Sequence, residues 1–128
     1  MIKIFKGDYD RNEFYSIMGK FFAEPFYKKE LPYLTNRENT VWYLNIKNGE
    51  AVAFSNYEEH KKRVEFKIDY FLYNINDLEE LIKNKLEDLK GREIETANSN
   101  KEIVQLFIKY GFKEYRKTTN YVFLRKEN

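Results

Sequence analysis

The segment EIETANSNKEIVQLFIKYGFKEY, Glu93 to Tyr115, restricts the fold of this chain more than any other stretch. Ile94 and its neighbours read as a short strand, and Asn98 follows in a turn. Ser99 with Glu102 three residues later has the spacing of a capping box, and Ile103, Leu106, Phe107 and Tyr110 recur on one helical face. Gly111 supplies the stop, and Phe112 opens another strand running to Lys117. A strand, a capped helix and a returning strand this close together call for a helix layered on a sheet.

The rest of the chain extends that pattern. Ile2 to Lys6 alternates as a first strand ended by Gly7, and Asp10 with Glu13 caps a helix whose Phe14, Ile17, Met18, Phe21 and Phe22 share a face. Pro25 and Pro32 bracket FYKKEL, room for one or two helical turns. Val41 to Ile46 and Glu50 to Ser55 are strands joined through Asn48 and Gly49, a two-residue hairpin signal. Val64 to Tyr73 reads as one strand, reached through the polar turn EEHKKR, with Val64, Phe66, Ile68, Tyr70 and Leu72 on one face. Asn76 with Glu79 caps a helix carrying Leu78, Leu81, Ile82, Leu86 and Leu89, closed by Gly91. Asn120 to Leu124 is the last strand. The helix between the fourth and fifth strands is the connection that a parallel pair needs, so the expected fold is α+β (mixed α/β): a mixed, mostly antiparallel sheet of about seven strands with helices on both faces.

Composition removes several kinds of chemistry. The 128 residues fit one domain, 1–128, with a sizeable core. There is no cysteine, hence no disulfide, thiolate metal site or cysteine nucleophile, and the single histidine, His60, leaves no multi-histidine metal site. The 23 basic and 21 acidic residues give a net charge of +2, too small for a duplex-sized footprint, although Lys61, Lys62 and Arg63 are candidate anion contacts. No apolar run is long enough to span a membrane, and MIKIFKGDYD lacks the apolar core of a secretion signal, so a cytoplasmic protein is expected.

The order of elements, together with Asn98 and the Gly111–Phe112 pair, resembles the GNAT superfamily of N-acetyltransferases over nearly the whole chain. The resemblance implies acetyl-CoA as co-substrate and an amine-bearing small molecule or protein as acceptor, in a monomer or homodimer. It implies that the fourth and fifth strands splay apart, here between Asp69 to Tyr73 and Glu93 to Ala97, with the pantetheine arm in the gap. Phe71, Leu72, Tyr73, Asn74, Asn76 and Asn98 are then the cofactor-binding positions. Asp69, and after it Glu65, are the candidate general bases, although alternating charges on a strand also form ordinary cross-strand pairs.

Two departures stand out. The family's phosphate loop, an Arg or Gln followed by closely spaced glycines, is replaced by Tyr73, Asn74, Ile75, Asn76, Asp77 and Leu78. Asp77, Glu79 and Glu80 place negative charge where a pyrophosphate would lie, an arrangement that suits a helix N-terminus for its own sake. The family's acid tyrosine, four residues before the glycine, is Phe107. Tyr110 points about 300° round the helix from it, which leaves Tyr73, Tyr70 and Tyr121 as candidate acids. The aromatics from Phe21 to Tyr33, with Trp42 and Tyr43, are candidate walls of an acceptor pocket. A noncatalytic GNAT-like module acting through a protein or nucleic-acid partner is the alternative, with YRKTTNYVF as a candidate nucleic-acid contact. Transfer from another activated donor is a third reading.

Overall fold

Asn48 and Gly49 have φ of 52° and 76°, the left-handed angles that a two-residue hairpin requires. A computed structural model describes Met1–Asn128. In chain order the elements are β1 (Ile2–Phe5), α1 (Arg11–Ala23), α2 (Pro25–Glu30), β2 (Val41–Lys47), β3 (Glu50–Glu59), β4 (Val64–Phe66), β5 (Asp69–Phe71), α3 (Ile75–Asp88), β6 (Glu93–Asn98), α4 (Lys101–Lys109), β7 (Lys113–Lys117) and β8 (Val122–Glu127).

The sheet runs β1, β2, β3, β4, β6, β8, β7, with β5 lying on β3 as the continuation of β4. Every pairing is antiparallel except that of β4 with β6, which α3 connects. This is the mixed, mostly antiparallel sheet implied by the order of elements. It has eight strands, because the strand expected from Val64 to Tyr73 is broken at Lys67 and Ile68.

Other boundaries move for local reasons. β3 continues beyond Ser55 because Tyr57 is buried in the core and Glu58, also buried, accepts from the Thr40 hydroxyl at 2.9 Å. β8 continues to Glu127 because β6 offers a partner as far as Glu93. Asn74, not Asn76, caps α3, accepting from the Asn76 amide at 2.9 Å. Asn100, not Ser99, caps α4, accepting from the amides of Glu102 and Ile103, while Asn98 accepts from the Asn100 amide at 2.8 Å. An Asn two residues before an amide closes an Asx turn, and this shifts each helix start by one or two positions from the capping-box reading.

Two apolar layers enclose the sheet. One, of 17 buried residues, fills the space under α3 and α4 and includes Val64, Phe66, Leu81 and Phe107. The other, of 9, lies under α1, where Phe14, Met18 and Phe21 meet Phe5, Trp42 and Phe54. No helix is long and apolar enough to cross a membrane.

Candidate active site at the fork between strands

β4 and β6 pair for only three positions, Val64 with Ile94, Glu65 with Glu95 and Phe66 with Thr96. The Thr96 hydroxyl donates to the Phe66 carbonyl at 3.3 Å. Past this point β6 stays on β8 as far as Asn98, while β5 stays on β3. The sheet therefore forks. The wedge lies between Lys67 to Tyr70 on one side and Ala97 to Asn100 on the other, and its volume is about 150 Å³. It was expected between Asp69 to Tyr73 and Glu93 to Ala97, but Ile94 to Thr96 remain paired, so the opening begins later on β6 and earlier on the other strand. A wider cleft of about 860 Å³, sharing Glu30, Pro32, Tyr33 and Tyr121 with the wedge, runs along α4 and the turn before β8.

A bulge creates the fork. Glu58 faces Glu65 and Ser55 faces Asp69, so Asn56 and Tyr57 stand opposite Phe66, Lys67 and Ile68, one residue more than their own number. An extra residue exchanges the faces of everything after it. Val64 and Phe66 accordingly pack in the α3–α4 core, whereas Ile68, Tyr70 and Leu72 pack against the α1 core. The single face expected to hold all five does not exist. The Asn56 amide donates to the Ile68 carbonyl at 3.0 Å and the Leu72 amide to the Val52 carbonyl at 2.9 Å, which fixes the even-numbered residues toward β3. Alternation then turns the main-chain amides of Asp69 and Phe71 to the other edge, where β5 has no neighbouring strand.

The bulge also decides what Asp69 can do. Its side chain points under α3 and is 1% exposed. Oδ1 accepts from the Ser55 hydroxyl and from Lys85 Nζ, and Oδ2 is buried without a partner. Asp69 thus meets the wedge with its backbone and not with the free carboxylate expected of a base. Glu65 lies on the paired side of the fork, bonded to His60 in the turn after β3 at 3.0 Å and to Lys67 two residues on at 3.3 Å, and does not line the wedge. Tyr73 is 75% exposed beyond β5 and does not line the wedge. Phe71 packs against the α3–α4 core and Leu72 against the other. Of the residues expected to hold a cofactor, Asn98 lines the wedge, Asn74 is spent as a helix cap, and Asn76 lies in a shallow groove with Lys101 and Lys109 between α3 and α4.

The acids at the start of α3 are drawn aside. Asp77 bonds Lys47 at 2.7 Å, Glu80 accepts from Asn45 at 3.2 Å, and Glu79 accepts from Lys109 at 2.8 Å and from the Tyr110 hydroxyl at 2.5 Å. The Lys109 and Tyr110 hydrogen bonds hold the Glu79 carboxyl below the usual range. Tyr110 ties α4 to α3, and burial followed by the Glu79 bond pushes its phenol up to about 12.

Three other tyrosines do reach the wedge, Tyr33, Tyr70 and Tyr121, the last two of them candidate acids. Burial raises the phenols of Tyr70 and Tyr121, assisted by Glu30 at Tyr70 and by Tyr33 at Tyr121. The Tyr33 ring stands edge-on to Tyr121, centroids 6.3 Å apart. Tyr33 is one of the aromatics expected to wall an acceptor pocket, whereas Glu30 carries no motif and only the fold reveals it. Lys85 was missed as well, although Leu78, Leu81 and Ile82 place position 85 on the same buried stripe. Leu86, which sequence spacing favoured for that stripe, is only half-buried.

Phe107 is fully buried, its ring 6.2 Å from Phe66 and 4.9 Å from Phe112. Phe107→Tyr would therefore bury a hydroxyl among aromatic rings. We expect a loss of about 1–3 kcal/mol, the cost of an unpaired buried polar group. Denaturant unfolding of the two proteins checks this; unchanged stability would mean that the hydroxyl finds a partner.

No family model matches the sequence, and no curated protein matches it. Solved structures do match. An acyl-CoA N-acyltransferase from Pseudomonas aeruginosa superposes with a TM-score of 0.76 at 12% identity, covering 98% of this chain and 99% of that one. ElaA of Escherichia coli gives 0.74 at 14% identity over 99% and 100%. A GNAT family acetyltransferase from Elizabethkingia anophelis, with acetyl-CoA bound, gives 0.65 at 17% identity over 100% and 97%. From β1 to β8, the chain has the fold of the GNAT acetyltransferases.

Proposed function

We propose that the fork binds acetyl-CoA and that the protein transfers its acetyl group to a primary amine on a small molecule or protein. The outward amide of Asp69, which lines the wedge, carries this reading, with that of Phe71 next along the same uncovered edge. Main-chain donors fixed in a recess suit the oxygen of a thioester, which gains negative charge when an amine attacks the carbonyl carbon. The carbon–nitrogen bond forms, the carbon–sulfur bond breaks, and the departing thiolate takes a proton. Tyr121 is the proposed donor, its phenol kept protonated by burial and by Tyr33. Glu30, a carboxylate lining both parts of the cleft, is the proposed acceptor of the amine proton through water. Asn98 and the groove of Asn76, Lys101 and Lys109 are the proposed contacts of the pantetheine and phosphates.

One observation favours a noncatalytic binding module instead. The Asn76 amide at the start of α3 is spent on the Asn74 side chain and is not offered to a phosphate. Titration with acetyl-CoA separates the readings. A ligand that binds only the native state at a hundred times its dissociation constant stabilises it by about 2.7 kcal/mol. We expect a rise in melting temperature of several degrees at millimolar acetyl-CoA. No rise sinks the acetyl-transfer reading and favours the module.

A further inference from the structure

Lys85 is a lysine without solvent. Its side chain is 0% exposed, and three groups surround its ammonium: Asp69 Oδ1 at 3.1 Å, the Asn56 carbonyl at 3.3 Å, and the face of Phe66, whose ring centroid is 3.3 Å from Nζ. These contacts are not scattered. Phe66 ends β4 at the first position of the bulge, Asp69 is the first residue of β5 after it, and Asn56 is on β3 directly across.

Asn56 completes the arrangement. Its side-chain Oδ1 accepts from the Ile68 amide at 2.8 Å, and its main-chain oxygen receives Lys85. A regular strand pair would have no use for a cation at this point, whereas a bulge leaves unmatched polar groups. The ammonium has three donors and meets a carboxylate, a carbonyl and an aromatic face, one on each flank of the irregularity and one opposite it. An ion pair this deeply buried has a poor claim to exist for stability, since apolar residues of the same volume commonly serve as well.

We infer that Lys85 is a positioning residue, which holds the bulge at Phe66–Ile68 in place and thereby aims the amides of Asp69 and Phe71 at the acyl carbonyl in the fork. The inference rests on the acetyl-transfer reading of that fork. Lys85 touches no substrate in this scheme. It acts through the main chain, and the ring of Phe66 and the carboxylate of Asp69 are its two handles.

The test reads the carbonyl itself. A hydrogen bond to a thioester oxygen lowers the carbonyl stretching frequency, so isotope-labelled acetyl-CoA reports by infrared difference spectroscopy whether the amides are in position. Lys85→Met leaves Asp69 unpaired and is a poor folder by design. The informative variant is therefore Lys85→Met with Asp69→Leu, which removes both charges together. Wild type should bind acetyl-CoA and show a lowered stretch. The double variant should remain folded and bind, with less than about half of that lowering left. A double variant that binds with the full wild-type shift overturns the role of Lys85. So does one that cannot fold, because the pair would then be a requirement of the core. Wild type that binds no acetyl-CoA overturns the reading of the fork, and the inference with it; that failure appears in the wild-type arm alone.

Discussion

Lys85→Met is expected to lower the unfolding free energy by about 3–5 kcal/mol, the cost of leaving a buried charge without its partner. The lysine contributes a charge to a space that contains Asp69, Ser55 and the ring of Phe66 and no solvent. Methionine fills nearly the same volume but offers no donor. Asp69, whose Oδ2 already lacks a partner, would then retain only Ser55. Adding Asp69→Leu to the same protein should restore most of the loss, since a neutral apolar pair has nothing to desolvate. Denaturant midpoints and slopes of wild type, both single variants and the double variant complete a thermodynamic cycle. Additive losses would show that the pair is energetically uncoupled.

Alkaline unfolding is the second large effect. Tyr43, Tyr57, Tyr70, Tyr110 and Tyr121 all hold their phenols above the ordinary value of 10.0, with burial the largest cause in each. At Tyr43 a hydrogen bond to Asp88 at 2.5 Å adds to burial. A raised phenol keeps its proton in the fold after the unfolded chain has lost it. Its contribution is complete below pH 10 and is lost as pH climbs through the folded value, about 12 for Tyr110. Lys85 acts in the opposite direction. Burial lowers it from 10.5 to about 8, so its contribution grows over that interval and cannot account for a loss above pH 10. Tyrosinate absorbance and far-ultraviolet circular dichroism, followed together from pH 9 upward, should show part of the tyrosine signal appearing only as the fold disappears. One smooth ionisation with the dichroism unchanged would contradict the assignment.

The fold was legible because its signals are local. Asn48–Gly49 announces a hairpin by backbone angle, and the helical stripes of α1, α3 and α4 announce which faces are buried. The cap of α1 at Asp10 was legible outright and those of α3 and α4 to within two residues, since Asn74 and Asn76, and Asn98 and Asn100, crowd those two starts and spacing alone does not say which side chain turns back. The break at Lys67 and Ile68 was not legible. Val64 through Tyr70 alternates apolar and charged residues in sequence, and the extra residue is visible only against β3, whose register depends on residues far away in the chain.

That one residue accounts for most of what sequence reasoning misplaced in the site. It turned Asp69 from a candidate base into the counterion of Lys85, and it brought Tyr70 to the wedge on the face of α1. Tyr121, Tyr33 and Glu30 come from separate loops and helices that meet only when the sheet is built. The absence of a tyrosine at Phe107 was readable at once, and the structure supplies its setting: the position belongs to an aromatic cluster with Phe66 and Phe112.

The change of face between β4 and β5 has a consequence for how such a protein can diversify. Phe66 answers to the layer beneath α3 and α4, Tyr70 to the layer beneath α1, and three residues separate them. Substitutions under α1 can reshape the wall around Tyr70 while the parallel pair of β4 and β6 keeps its footing in the other layer. If the fork transfers acetyl groups as proposed, acceptor preference would be free to drift in one half of the molecule without the donor side being rebuilt in the other.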